Sequence, residues 1–315
     1  MSIPHAVPGQ AADAAALPML AVPEGRVTWP RLSVGLLALP IGLFLAFFFF
    51  YPAINLLLFS VLTQNAQGIV GRPFTAAHFA HFFGTGLYMK VFLTTLRISL
   101  VTSVVAAVLA YPVAIVILRS RPLVTRAVNL IVIAPLLVSV VVRAYGWQLI
   151  LANGPAGVVN KILLGLGLID SPLSLLYSDT AVVIGSLHVF FPMMVLPLVA
   201  TLGKVDRNLE DAARMLGASS LRVFLRVTFP LSLPGLLLGF ALVFTLTAGS
   251  FVTPAILGGT NTMMLGNLIE QQIFVVYDWP FGATIAVVMV AVVLAANALS
   301  ARLLRSRHIQ LREVA

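Results

Sequence analysis

The sequence predicts an all-α membrane protein with six transmembrane helices, and three observations support this fold class. Hydrophobic residues make up 60% of the 315 residues and charged residues only 9%, which leaves too few charges for the surface of a water-soluble protein. Six long runs contain no Asp or Glu and at most one Lys or Arg, and each is long enough to cross a bilayer. Basic residues also concentrate on one side of these runs.

The six runs divide the chain into a membrane domain and two tails. Residues 1–30, rich in Ala, Pro and Gly, are predicted to be a disordered cytoplasmic tail, and residues 306–315 a cytoplasmic C-terminal tail. The first apolar run exceeds the 7–15 residues of a secretory signal, so it is interpreted as an uncleaved span. The membrane domain 31–305 holds the predicted spans, which are 33–60, 91–118, 127–151, 180–202, 229–256 and 280–301.

The placement of the basic residues sets the predicted orientation. With the N-terminus inside, fourteen of the nineteen Lys and Arg fall on the cytoplasmic side: Arg26, Arg31, Arg119, Arg121, Arg126, Lys204, Arg207, Arg214, Arg222, Arg226, Arg302, Arg305, Arg307 and Arg312. Both termini and the loop 203–228 are therefore predicted to be cytoplasmic. The net charge of +9 follows from this asymmetry and does not indicate nucleic acid. The outer loops hold Asp170, Asp179, Glu270 and Asp278.

The outer loops and the composition give little sign of metal chemistry. The absence of cysteine excludes disulfides and thiolate metal sites. His78 and His81 have metal-ligand spacing, but no third ligand accompanies them, and an interfacial aromatic patch is the preferred interpretation. No metal site is predicted. In the second outer loop, residues 158–168 are predicted to form a helix too short to span.

A polar segment interrupts the apolar chain in the loop 203–228 and has the signals of a short helix. Asp206 is predicted to cap its start, and Gly217 to end it with a positive φ. One face carries apolar residues at helical spacing and the other carries charges. The apolar face is formed by Leu209, Ala212, Ala213 and Leu216, and the charged face by Arg207, Glu210, Asp211 and Arg214. Such a helix at the cytoplasmic surface predicts the docking of a partner protein.

The same segment carries a recognisable motif. Asp211-Ala212-Ala213 is followed by three residues, Gly217, nine residues and then Val227-Thr228-Phe229-Pro230. This spacing resembles the EAA loop of ABC import permeases, with Asp211 in place of the usual Glu. Glu210 is one residue away and is expected to substitute for that Glu by a small rotation. Further resemblance to the permease subunits of spermidine/putrescine importers lies in 143–147, 168–173, 191–198, 251–259 and 278–282.

The resemblance implies a type I ABC importer (MetI-like) permease fold in a bacterial inner membrane, and it implies several partners. These are two cytoplasmic ABC ATPases, a second, related permease subunit and a periplasmic substrate-binding protein. Contact with the ATPase is expected at Glu210, Asp211, Ala212, Ala213, Arg214 and Gly217. None of the three Lys residues lies in a P-loop motif. The chain is therefore expected to have no catalytic residues and no cofactor, with ATP and Mg bound by the ATPase.

The residues that line the pathway are harder to predict, because no acid lies within a span. Cation–π contacts and acids near the outer mouth remain for a polyamine. The candidates are Tyr145, Trp147, Thr247, Ser250, Phe251, Asp278 and Trp279. An aromatic belt or plain helix packing explains these residues equally. Arg97 is expected to reach the headgroups, Arg143 to brace helices and His188 to form an interhelical hydrogen bond.

Other classes of transporter and enzyme were also considered. An importer for another small solute, such as iron or an anion, has the same scaffold. An ion-coupled secondary transporter normally places an ionisable group near the middle of the membrane, and the acids of this chain lie elsewhere. A membrane enzyme requires a catalytic constellation, and neither paired carboxylates nor a His-Glu-x-x-His motif is found.

Overall fold

A computed structural model describes the backbone of residues 39–312 and the side chains of residues 39–302. The predicted tail 1–30 and the start of the first predicted span lie outside these residues. Within the described residues, 39–51 and the residues from Pro52 onward fall into two compact units. The described chain is helical except for one β-hairpin and its loops. The elements in order are α1 Leu39–Phe59, β1 Leu62–Gln64, β2 Val70–Phe74, α2 Ala77–Gly84, α3 Gly86–Arg119, α4 Pro122–Leu137, α5 Val140–Ile150, α6 Val158–Gly165, α7 Asp179–Leu202, α8 Arg207–Met215, α9 Ser220–Ala248, α10 Val252–Leu257, α11 Leu265–Gln271 and α12 Trp279–Arg312.

Five of these helices are long and apolar enough to cross a membrane: α1, α3, α7, α9 and α12. The sixth predicted span, 127–151, is not one straight helix, because α4 and α5 meet at an angle of 106°. Val138 and Ser139 are extended at the bend. The β-branched run that follows has a low helix propensity. The six predicted spans therefore correspond to five continuous helices and one bent pair.

The bounds of the fifth predicted span also change. It was expected at 229–256, but α9 begins nine residues earlier, at Ser220, and ends at Ala248. Arg222 and Arg226 end the apolar run without ending the helix. At the other end, Gly249 closes α9, and α10 starts only at Val252. Residues 249–251 therefore form a break within an apolar stretch.

Two features near the ends of the chain were not expected from the sequence. The first outer loop contains the β-hairpin β1–β2, whose turn is held by the Asn65 side chain, which accepts hydrogen bonds from the backbone of Gln67 and Ile69. At the C-terminal end, α12 continues to Arg312. Residues 306–312, predicted as part of a tail, therefore continue the backbone of the last helix.

The core of the bundle lies where α3, α7 and α9 pack together. On α9, a Cβ at Gly235 would overlap the Pro197 carbonyl and the Thr201 side chain of α7, and one at Gly239 would lie 3.0 Å from the Cα and the carbonyl oxygen of Met194. Buried alanines at four-residue spacing on α3, from Ala106 to Ala114, face the same core. Small residues allow close helix packing in a membrane. This three-helix core positions the end of α3 at Arg119 and the first turns of α9.

Candidate functional site

The short helix α8 begins and ends where the sequence predicts. The Asp206 side chain accepts a hydrogen bond of 2.9 Å from the backbone N–H of Asn208, which caps the start. Gly217 has φ +82°, and the N–H of Ala218 bonds back to the carbonyl of Ala213 at 3.1 Å. A left-handed residue followed by such a bond is the usual helix terminator. Local signals therefore fix this helix at both ends.

The orientation of α8 is the reverse of an ordinary amphipathic surface helix. Its only buried residue is the acid Glu210. On the predicted apolar face, Leu209 is half exposed, Leu216 is 89% exposed and Ala212 is exposed, while Ala213 is half-buried. An exposed row of apolar side chains on a polar loop indicates a surface for a partner. The apolar face is therefore turned away from the bundle.

The buried Glu210 carboxylate lies at the centre of a polar network that includes two partly exposed arginines. Arg119, the last residue of α3, donates from Nη2 to Oε1 at 2.8 Å and to Oε2 at 2.6 Å. Thr228 on α9 donates from Oγ1 to Oε1 at 2.8 Å. The Arg214 guanidinium lies 3.6 Å from Oε2. One carboxylate thus connects α8 with the end of α3 and with the first turns of α9.

These donors also set the charge state of the carboxyl. Burial by itself would raise the pKa of Glu210. The hydrogen bonds from Thr228 and Arg119 and the positive charges of Arg119 and Arg214 outweigh the burial, so that the pKa of Glu210 lies below its ordinary value. Hydrogen bonds and opposite charges both favour the ionised form. Glu210 is therefore ionised at neutral pH.

The neighbouring acid Asp211 occupies a different environment. Its side chain is exposed and pairs with Arg214, from Nη1 to Oδ1 at 2.9 Å. The two consecutive acids thus point to different sides of α8, one into the bundle and one into solvent. A rotation that turned Glu210 outward to take the place of Asp211 would break its bonds to Arg119 and Thr228.

A second group of predicted residues lies at the break between α9 and α10. Thr247 is buried, and its hydroxyl lacks a hydrogen-bond partner among residues 39–302. Ser250 is half-buried, and the Phe251 side chain is 48% exposed. The Asn267 side chain of α11 donates to the Phe251 carbonyl at 2.8 Å and holds the break in place. The structure brings these three predicted residues together.

The third predicted group, at the outer end of α12, has structural partners. The Asp278 side chain accepts from the backbone of Phe281 at 3.0 Å and caps α12. Gln64 on the hairpin donates to the Tyr277 carbonyl at 2.7 Å and accepts from the N–H of Trp279 at 3.1 Å. Trp279 remains partly exposed. One Asp278 oxygen is thus committed to the helix start, while the aromatic ring stays accessible.

Tyr145 and Trp147 point into different surroundings. Tyr145 is exposed. The Trp147 indole donates to Nδ1 of His188 at 3.0 Å and lines an apolar cavity of about 410 Å³ between α3, α4 and α7. The interhelical hydrogen bond expected of His188 is confirmed. Trp147 therefore packs inside the bundle and not at an exposed mouth.

The charged residues near the outer ends of the spans have mixed outcomes. Arg97 forms an ion pair with Asp179, which also accepts from Thr262 at 2.8 Å, so it joins helix ends and does not only reach the headgroups. Arg143 is buried, and its Nε and Nη1 lack partners within residues 39–302. His78 bonds to the carbonyl of Leu62 at 3.0 Å.

The sequence did not indicate the link between Arg119 and Glu210. These residues are 91 positions apart, and nothing local to either residue marks the pairing. The charged face of α8 holds two acids and two arginines, and the sequence does not show which acid turns inward. Thr228 was part of the motif, but its side chain had no predicted role.

Comparison with known proteins finds a matching family, relatives of similar sequence and a structure of similar fold. A family model described as "Binding-protein-dependent transport system inner membrane component" matches residues 99–308. The spermidine/putrescine transport system permease protein PotB of Escherichia coli K12 is 33% identical over 245 residues, which cover 78% of this chain and 88% of the relative. PotB of Haemophilus influenzae is 30% identical over 243 residues, with 77% and 84% covered. A subunit of a bacterial alginate ABC transporter has a similar fold, with a TM-score of 0.65 at 19% identity over 86% of this chain and 95% of the other.

Proposed function

This chain belongs to the family of binding-protein-dependent transport system inner membrane components, and we propose that it is the permease subunit of an ATP-driven importer for polyamines. It is a multi-pass protein of the bacterial inner membrane. In the proposed assembly, it forms half of the translocation pathway with a second, related permease. A periplasmic binding protein delivers spermidine or putrescine, and separate ABC ATPases bind ATP and Mg.

The observation that carries this proposal is the exposed apolar face of α8. Leu209, Ala212 and Leu216 form a row that the bundle leaves uncovered. A helix–groove contact buries such a row at i, i+3 and i+7 spacing. The exposed Asp211 beside it offers a charge for a basic residue of the ATPase. These features support α8 as the part of the chain that docks on the ATPase.

The docking proposal is tested with Leu216→Glu and the matched control Met215→Glu. Both residues are 89% exposed, but only Leu216 lies on the apolar row. A charge in a desolvated contact is costly, so we expect Leu216→Glu to lose the ATPase during copurification of the complex. Met215→Glu should retain most of it. Equal retention in both variants would contradict docking through this face.

The polyamine substrate is supported by the relatives and by the break after α9. The C-terminal end of a helix carries partial negative charge on its free carbonyls, which stabilises a nearby cation. Phe251 presents an exposed ring beside that end, and an aromatic face attracts an ammonium group. A polyamine therefore finds favourable contacts at this position although the spans contain no acid.

The substrate proposal is tested by uptake of labelled spermidine and putrescine into vesicles that hold the complete complex. Uptake should require ATP inside the vesicle and the binding protein outside. Phe251→Ala should raise the KM for spermidine, whereas Phe274→Ala, which removes a ring 67% exposed outside the break, should leave it unchanged. If vesicles that lack this chain still took up both spermidine and putrescine, the proposal would be refuted.

The outer mouth allows a sharper test of charge. Asp278→Asn keeps a side chain that caps helices about as well as Asp but removes the negative charge. If the carboxylate attracts polyamines, the KM for spermidine should rise in Asp278→Asn and rise further with Trp279→Ala. An unchanged KM in the double variant would restrict Asp278 to its role in capping α12.

A further inference from the structure

We propose that Glu210 is the positioning residue that transmits the movement of α8 to the spans, by joining α8 to α3 through Arg119 and to α9 through Thr228. This inference rests on the proposed function, in which α8 docks on the ATPase. It concerns the inner side of α8, opposite to the docking row. Docking and transmission are therefore assigned to different residues of one nine-residue helix.

The contacts between α8 and the spans are few. Glu210 is the only buried residue of α8. The other side-chain bond from α8 to α3 is one from Arg207 Nη2 to the carbonyl of Leu118, at 3.0 Å and in an exposed position. Of the remaining residues of α8, Ala213 is half-buried and the others are exposed. A displacement of α8 therefore reaches the bundle mainly through the Glu210 carboxylate and through the chain at its two ends.

The path to α3 has no covalent alternative near α8. The chain connects α8 directly to α7 and α9, whereas Arg119 lies 91 residues before Glu210. Arg119 is the last residue of α3. Core packing against α7 and α9 and the bond from Arg207 to Leu118 also hold α3 to its neighbours. The ion pair adds a direct side-chain link from α8 to the last residue of α3.

The geometry suits the transfer of force. Arg119 contacts both carboxylate oxygens at 2.8 and 2.6 Å, and short charge-assisted bonds are stronger and more directional than apolar contacts, which can slide. Thr228, the last residue of a π-helical turn in α9, holds Oε1 from a second direction. The carboxylate is therefore fixed from two spans at once.

Asp211 provides a matched control on the same helix. It has the same charge, lies one residue away and is exposed, with an ion pair only to Arg214 of its own helix. Removing its charge alters the outer surface of α8 and leaves the link to α3 and α9 intact. Glu210→Gln and Asp211→Asn therefore separate transmission from docking.

The experiment uses the complete complex in proteoliposomes and measures ATPase content, ATP hydrolysis and spermidine uptake for each variant. We expect Glu210→Gln to retain the ATPase and to hydrolyse ATP, while spermidine imported per ATP falls roughly ten-fold, in the range by which single residues change coupling. Asp211→Asn should keep the wild-type ratio. The reversed pair Arg119→Glu with Glu210→Arg should recover part of the ratio, which a general loss of stability would not do.

Thr228→Val serves as a milder second variant if Glu210→Gln assembles poorly. It keeps the size of the side chain and the Arg119 pair, and should lower the ratio by a smaller factor of about two to five. The inference would be overturned if a Glu210→Gln complex that contains ATPase imported as much spermidine per ATP as the wild type. If that complex does not assemble, the same result in Thr228→Val would overturn it. In either case the proposed function would stand. A wild-type chain that holds no ATPase would overturn the proposed function, and the inference with it.

Discussion

The close crossing of α7 and α9 gives a prediction whose magnitude follows from the structure. In Gly235→Ala, the added Cβ overlaps the Pro197 carbonyl and Thr201, and the helices must separate by about 1 Å to reach an ordinary contact. Overpacking of this kind costs about 1–3 kcal/mol. The alanine also stabilises a helix interior by about 0.5–1 kcal/mol relative to glycine. At the middle of both ranges the net loss is about 1.3 kcal/mol.

The assay is thermal unfolding of the purified protein in detergent, followed by circular dichroism. A loss of this size corresponds to a Tm lower by about 2–5 °C. Gly146→Ala is the matched control, because no atom lies within 4 Å of its added Cβ, and its Tm should stay the same or rise. Gly239→Ala, with contacts at 3.0 Å, should fall between the two. A Tm for Gly235→Ala equal to that of Gly146→Ala would refute the close packing of α7 and α9.

Three further predictions concern the polar contacts. Asp206→Ala removes the cap of α8 and should destabilise this helix by about 1 kcal/mol, seen as faster hydrogen exchange, whereas Asp206→Asn should behave as wild type. The stability lost in Glu210→Gln should be constant from pH 8 to pH 6 and should shrink below about pH 4. Folding lowers the pKa of Glu210, so its carboxylate stabilises the folded state above the unfolded pKa, and this stabilisation is lost as acid protonates the group. A stability difference that stayed constant down to pH 3 would contradict the ionised network. Asn160 is fully buried and makes three donor bonds and one acceptor bond to the outer loop, so Asn160→Leu should cost about 2–4 kcal/mol and should expose the loop 152–178 to proteolysis.

The parts of the structure that the sequence predicted are those set by local signals. The capping acid Asp206 and the terminating Gly217 act within a few residues, so the bounds of α8 followed from the sequence. The short outer helix α6 followed in the same way, although it ends at Gly165 rather than at residue 168. The apolar runs likewise predicted the approximate positions of five long apolar helices. These features need no knowledge of the tertiary fold.

The parts that the sequence did not predict depend on distant partners or on backbone continuity. Hydropathy measures the transfer of side chains into lipid and does not report a broken backbone. The sequence therefore predicts continuous spans across both the bend at Val138 and the break after Ala248. In the same way, Lys90 ended an apolar run but not the helix α3. The pairing of Glu210 with Arg119 depends on the packing of three helices. The docking site on α8 therefore stays a prediction, while the inward contacts of Glu210 required the structure.

The length of α3 has a consequence for communication between the two compartments. Its 34 residues extend roughly 50 Å, more than the hydrocarbon thickness of about 30 Å. Pro112 lies inside α3 without interrupting it. Near its outer end, Thr95 accepts a hydrogen bond of 2.9 Å from the N–H of Leu265 on α11. One continuous helix thus joins the contact at Leu265 to the ion pair at Arg119. We therefore predict that a ligand that favours one tilt of α3 at one end alters binding at the other end by the same factor.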